Sequence, residues 1–331
     1  MERFASEKVP LSVSVLDMDW HITDIDPKYG TGWTGYTWNK AYFPDPKGFL
    51  KWLHDRNLHV TMNEHPADGV RAYEEIYPEL ARAMGIDPDS GEPVEFDASS
   101  QTFLDTFERV VLEHFRETGV DFWWLDWQQR GGSSVEGVDP LFVLNHTRWL
   151  YENSHGERSM TFSRYGGPGS HRYPIGFSGD TCITWESLAF QPYFTATAAN
   201  IGYGWWSHDI GGHMLGIRDE TLTVRWVQFG VFSPIMRLHA SLNEFLRKEP
   251  WCYSMEGEAV MKDFLRLRHR LCPWLYDQAV TSTESGSVIL YPLYYDYPVF
   301  EAIEMQKAAY IFGRDMLIAP IVTQQVPETR L

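Results

Sequence analysis

Short apolar runs recur along the chain, and each gives way to polar or glycine-rich residues. They occupy residues 11–16, 58–62, 93–96, 121–125, 159–162, 173–177, 201–206 and 232–236. Runs of this length bounded by turn residues predict buried strands. Between several of them the period changes to that of a helix. Residues 46–56 place Phe49, Leu50, Trp52 and Leu53 on one face, and residues 101–118 place Phe103, Leu104, Phe107, Val110, Val111, Leu112 and Phe115 together. Residues 221–230 read as a third helix. Strands alternating with helices imply a parallel sheet with right-handed crossovers. Eight such runs suggest an α/β (β/α)8 TIM barrel over residues 1–285. After about residue 245 the pattern fades. Residues 255–276 predict one long helix ending near Pro273, and 287–294 and 316–322 predict strands. Residues 286–331 are therefore expected to begin a C-terminal β-sandwich segment.

The polar residues that follow the runs sharpen the picture. They are Asp17 and Asp19, Asn63 to His65, Asp126, Arg164, Asp180, His208 and Asp209, and Arg237 and His239. Catalytic residues of a (β/α)8 barrel sit at the C-terminal ends of its strands. Asp126 closes the run Phe122-Trp123-Trp124-Leu125, and Asp180 follows Phe177-Ser178-Gly179. A carboxylate at the tip of a buried strand costs solvation energy and adds nothing to stability by itself. Two of them, walled by aromatic rings, are what cleavage of a glycosidic bond requires.

Composition agrees with a large core and a neutral ligand. Of 331 residues, 44% are hydrophobic, and there are 14 Trp, whose indole faces suit the apolar face of a pyranose. Most of those Trp are expected to fill core. A net charge of −17 argues against nucleic acid and anionic membrane as partners. Three Cys without C-x-x-C spacing form neither a disulfide framework nor a zinc site. The first twenty residues lack a signal-peptide pattern and no apolar run reaches membrane-spanning length, so a cytoplasmic location is expected. Asn145-His146-Thr147 fits a glycosylation sequon, a triplet frequent by chance.

Several ordered segments carry a family resemblance. Leu16-Asp17-Met18-Asp19-Trp20, Trp124-Leu125-Asp126, Phe177-Ser178-Gly179-Asp180 with Trp185-Glu186, Ser207-His208-Asp209-Ile210-Gly211-Gly212 and Phe232-Ser233-Pro234-Ile235-Met236-Arg237-Leu238-His239 agree in order and spacing with glycoside hydrolase family 31. The chain resembles that family's catalytic barrel over residues 10–322. The resemblance implies a retaining exo-acting α-glycosidase that needs no cofactor and no metal. Its nucleophile would be Asp126 and its acid/base Asp180, with carboxyls about 5 to 5.5 Å apart. It implies that Asp17, Arg164, Asp209 and His239 bind sugar hydroxyls. By their strand-end positions Trp124, Trp127, Phe177 and Trp206 are the candidates for the pocket wall. Arg237 is expected to brace a carboxylate, and His208 to stand behind the site.

Some positions depart from the pattern. Met62-Asn63-Glu64-His65-Pro66 replaces a Trp-Ile-Asp-Pro-like segment, so His65 stands where an Asp would touch the sugar. His213 stands where Phe is frequent, and Trp127 where Met or Ile is common. These changes reshape the glycone pocket. α-Glucosidase is the default expectation, with α-galactosidase or α-N-acetylgalactosaminidase as alternatives. A transglycosylase, or an inactive sugar-binding fragment, would keep the same residues. Flanking β-domains or a homo-oligomer are further expected partners beside an oligosaccharide or glycoside substrate.

Overall fold

The computed structural model describes residues 1–126, 135–156, 158–164, 167–173 and 175–324. The chain divides into two compact units. One is Leu11–Gly166; the other joins Met1–Pro10 to Gly167–Leu331.

The first unit carries four parallel strands in chain order: β1 Val13–Leu16, β2 His59–Glu64, β3 Phe122–Leu125 and β4 Thr161–Arg164. Leu16 lies beside Met62, Glu64 beside Leu125, and Leu125 beside Ser163, so β2 and β3 end level, β1 stops two residues short of β2, and β4 runs one residue past β3. Sequence sets the limits of the helices between them. Asp45 accepts a hydrogen bond from Gly48 N and Pro46 fills the first turn, starting the helix Pro46–His54. Ser100 starts Gln101–Phe107, which continues through a wider turn, Glu108–Leu112, into Glu113–Thr118. Gly119, left-handed at φ 115°, ends it. A helix not anticipated from periodicity, Pro140–Ser154, starts on an Asp139 cap. The buried core includes Leu50, Leu53, Val60, Met62, Phe103, Phe107, Val111, Phe115, Trp123 and Leu125.

The second unit holds the parallel pair β5 Gly176–Phe177 and β6 Trp206–Ser207. Its main helices are Trp185–Thr197, Glu220–Val231, Met255–Arg270 and Cys272–Ser285. Thr184, Asp219 and Ser254 cap the first three. Three short antiparallel strands follow: β7 Leu290–Tyr291, β8 Tyr310–Phe312 and β9 Met316–Ile318. A separate core gathers Ile183, Leu188, Ile210, Leu222, Trp226, Val227, Phe229, Met261 and Phe312.

Three sequence expectations change, and the sequon is placed. Residues 93–96 form no strand. Only Val94 bridges Val70, antiparallel, through two hydrogen bonds of 2.9 and 3.0 Å. Pro93 has no N–H to extend the pairing. Residues 232–236 form no regular strand either. The buried Arg268 guanidinium takes the carbonyls of Val231, Ser233 and Pro234, which a sheet would otherwise use. Pairing resumes only where Leu238 bridges Ile210. The single helix expected over 255–276 breaks at Leu271, because Pro273 sits in the first turn of Cys272–Ser285 and starts a helix instead of ending one. The sequon Asn145 lies in a helix, 8% exposed, with its amide bonded to Leu141 O and Ser163 Oγ, so it does not face solvent. Among the described residues no helix is long and apolar enough to cross a membrane, and no cluster of three metal-ligating side chains occurs.

Candidate active site

In the first unit the strand tips bring three polar side chains onto one carboxylate. Asp126 follows β3, and its N–H bonds Glu64 O at 3.1 Å, which fixes it against β2. Arg164, at the end of β4, donates from Nε to Asp126 Oδ1 at 2.6 Å. His65 Nε2, after β2, stands 3.4 Å from Oδ2. Asn63 Nδ2 reaches the same oxygen at 3.4 Å. Burial raises the Asp126 pKa, but the His65 and Arg164 interactions outweigh it and hold the group well below the usual carboxylate range. Asp126 is thus an ionised carboxylate at a strand tip, 7% exposed.

His65 supports this carboxylate with a side chain that is 2% exposed, and the half-exposed Trp33 packs its ring edge-on at 5.2 Å. Asn63 stands among the polar residues that follow the second apolar run, without a role assigned to it. Trp33 is not singled out, since a lone Trp in a long loop carries no local signal. Trp124 is buried against Phe162, with ring centres 5.6 Å apart. Asp17 is exposed at the end of β1, where it caps the short helix Met18–Trp20 through Met18 N at 2.7 Å. Trp127 lies outside the described residues.

Below the tip is an ionic layer. Arg148, fully buried, donates to Glu64 Oε2 at 2.8 Å and to Glu108 Oε1 at 3.2 Å. Tyr36 donates to Glu64 Oε1 at 3.2 Å. Two carboxylates facing one guanidinium leave excess negative charge, and burial pushes Glu108 up. Glu152, near Arg116 and Arg148, is raised by burial to about 7.

In the second unit a different arrangement surrounds Asp180. Gly179 at φ 65° and Asp180 at φ 32° both take positive φ, and Asp is one of the few residues that tolerates it. The turn lifts the Asp180 side chain to 41% exposure. Asp209, after β6, is fully buried. It pairs with Arg237 and accepts a bond from Thr181 N at 3.3 Å; burial raises its pKa, but Arg237, His239, His213 and the Thr181 bond together outweigh burial and hold it below the usual carboxylate value. Arg237 also donates to Ser207 Oγ at 3.1 Å and lies over the Phe177 ring at 5.6 Å. It braces the carboxylate, as its position in the sequence suggested. Phe177, 1% exposed, is packed behind the loop.

His213 brings the pieces of this unit together. Nδ1 lies 4.0 Å from Asp209 Oδ2 and Nε2 lies 3.9 Å from Asp180 Oδ1. Its ring stacks on His239 at 4.7 Å. His208 is fully buried on Phe229, and desolvation lowers its pKa to about 3, so it is neutral. Lys248, absent from the sequence candidates, donates to Gly211 O at 2.8 Å, and burial lowers its pKa to about 8. Nothing local in Arg247-Lys248-Glu249 marks it.

The sequence and the fold match a known family. The sequence model for the glycosyl hydrolases family 31 TIM-barrel domain matches residues 1–278. The chain belongs to glycoside hydrolase family 31, and its fold class is the TIM barrel. It is 25% identical to the alpha-xylosidase of Saccharolobus solfataricus, covering 99% of this chain and 46% of that protein. It is 32% identical to alpha-glucosidase 2 of Bacillus thermoamyloliquefaciens over 51% of this chain and 21% of that protein. Among solved structures it superposes on the family 31 alpha-xylosidase from a soil metagenome complexed with xylose, with TM-score 0.77 and 23% identity, covering 98% of this chain and 53% of that one. The chain spans about half the length of the curated relatives it matches across its whole extent.

Proposed function

We propose that the chain is the catalytic barrel of a retaining exo-α-glycosidase, hydrolysing terminal α-linked sugars by double displacement. One observation carries the proposal most directly. Asp126 is held ionised by Arg164 and His65 at a strand tip, the state a nucleophile needs. In this reading Asp126 attacks the anomeric carbon while Asp180 protonates the departing oxygen. The product of this step is a β-glycosyl-enzyme. Asp180 then takes a proton from water, which releases the α-sugar. Asp17, Arg164 and His239 are assigned to sugar hydroxyls. Asp209 orients Arg237 and His213, and His65 acts through Asp126.

The glycone is α-glucosyl by default. An α-xylosyl glycone is the second reading, favoured because relatives covering 99% of this chain are named alpha-xylosidases. β-Domains that flank the barrel in the full protein are part of the proposal, since the relatives are about twice as long. A cytoplasmic setting goes with it, where the free thiols Cys182, Cys252 and Cys272 would stay reduced.

The test is a panel of p-nitrophenyl α-glycosides: glucoside, xyloside, galactoside and N-acetylgalactosaminide. Release from one of them, abolished in Asp126→Ala, is the expected result. Sugar transferred to an added acceptor in place of water would turn the reading to a transglycosylase. A folded wild type silent on every glycoside would turn it to a sugar-binding fragment.

A further inference from the structure

The double-displacement scheme leaves two polar side chains of the helix Pro140–Ser154 without a task. Asn145 and Arg148 are buried, at 8% and 0% exposure, and a spacing of three residues sets them on one face of the helix. Burying an amide and a guanidinium costs free energy unless hydrogen bonds offset it. Each of the two reaches a strand that flanks Asp126. Asn145 Nδ2 donates to Ser163 Oγ at 2.8 Å, on β4. Arg148 donates to Glu64 Oε2 at 2.8 Å, on β2, and its Nε donates to Glu108 Oε1 at 3.2 Å.

The register of the sheet links these bonds to the candidate nucleophile. Glu64, Leu125 and Ser163 are partners across β2, β3 and β4, so they form one row. Successive side chains of a strand point to opposite faces, so a row held from the helix side leaves the next row facing the other way. The next residues along the three segments are His65, Asp126 and Arg164. These are the groups that meet: Arg164 Nε donates to Asp126 Oδ1 at 2.6 Å, and His65 Nε2 stands 3.4 Å from Oδ2. Two further bonds tie one row to the other. Glu64 O accepts the Asp126 N–H at 3.1 Å, and Ser163 Oγ donates to Arg164 O at 3.1 Å. A shift of Glu64 therefore carries Asn63 and His65 against Oδ2, and a shift of Ser163 carries Arg164 against Oδ1.

We propose that Asn145 and Arg148 are positioning residues for the nucleophile: one helix face holds the row behind Asp126 at both ends and so fixes the direction in which its carboxylate meets the anomeric carbon. The inference rests on the assignment of Asp126 as the nucleophile. Both residues act through Ser163 and Glu64, and neither enters the chemistry. The planar fork of Arg148 spans two carboxylates at once, which a lysine ammonium does not reproduce.

The test uses the whole chain and two covalent probes, 5-fluoro-α-glucosyl fluoride and 5-fluoro-α-xylosyl fluoride. Fluoride leaves without a proton, and the 5-fluorine slows hydrolysis of the glycosyl-enzyme, so labelling read by intact mass reports attack by the nucleophile alone. In Asn145→Leu, Ser163→Ala and Arg148→Lys the saturating labelling rate should fall by about tenfold, with the half-saturating probe concentration changed by less than about threefold. Asn145→Leu combined with Ser163→Ala should lose no more than either alone, since both remove the same bond. Where Arg148→Lys does not fold, the Asn145 and Ser163 variants decide. Leu53→Ala empties a fully buried position in the same unit; it should lower the denaturant midpoint and leave the labelling rate within about threefold of wild type. Labelling at the wild-type rate in any of the three folded variants, or losses that multiply in the double variant, overturns the proposal. So does an equal loss in Leu53→Ala, which would mean that lost stability alone slows attack. Label on a carboxylate other than Asp126 in wild type overturns the nucleophile assignment instead, and a wild type that takes no label from either probe overturns the glycosidase reading.

Discussion

Asp126 and Asp180 are the same residue type in opposite surroundings. Asp126 ends a buried strand, is tied by its N–H to the neighbouring strand, and faces a guanidinium, an imidazole and an amide. Asp180 rides on a turn of positive φ, stands substantially exposed, and faces an imidazole at ion-pair distance. The first environment fixes a negative charge. The second places the carboxyl on an exposed turn within reach of solvent. The contrast in burial and partners is what the proposed roles of nucleophile and acid/base rest on.

The sharpest way to break that contrast is to delete each carboxylate and ask which anomer azide rescues. Asp126→Ala should lose about 10⁴-fold or more in kcat, and azide should yield the β-glycosyl azide. Asp180→Ala should lose about 10³-fold on poor leaving groups and much less on activated ones, and azide should yield the α-glycosyl azide. Product analysis by NMR reads both, and exchanged anomers would swap the two roles.

A smaller effect tests the charge environment of Asp126. Arg164→Met removes a cation that lowers its pKa, so the acid limb of the kcat/KM profile should move to higher pH and activity at neutral pH should fall by about tenfold. An acid limb that stays in place would mean that Arg164 does not hold the charge.

The smallest effect separates the two units by stability. Glu152 of the first unit is raised to about 7 from an ordinary 4.5. Its folded form binds the proton more tightly, so its contribution is present below 4.5 and is lost as pH rises through 7. His208 of the second unit is lowered to about 3 from 6.5, so its contribution is present above 6.5 and is lost as pH falls toward 3. Between pH 5 and 8 wild type should therefore lose roughly 2 kcal/mol relative to Glu152→Gln in denaturant unfolding. A constant difference would show that Glu152 keeps its ordinary ionisation.

Much of the site was legible because strand-tip chemistry is local. An apolar run that ends in Asp or Arg announces itself, as Trp124-Leu125-Asp126 and the Arg164 after Phe162-Ser163 do. The runs at 93–96 and 232–236 look the same but are not strands, because Pro93 lacks a donor and Arg268, far along the chain, takes the carbonyls. No local pattern reports a competitor thirty residues away.

The sequence by itself determined the fold class and the family, and it supplied the candidate carboxylates, because hydrophobic period and ordered motifs survive in one dimension. The partners of those carboxylates were decided only in three dimensions. Asn63 and His65 reach Asp126 because parallel pairing sets β2 beside β3 in one register. His213 faces Asp180 because two glycines in the left-handed region turn the backbone back toward Thr181. Arg148 meets Glu64 and Glu108 across 84 and 40 residues of chain. Coulomb energy depends on distance in space and on burial, and neither is written in the order of residues.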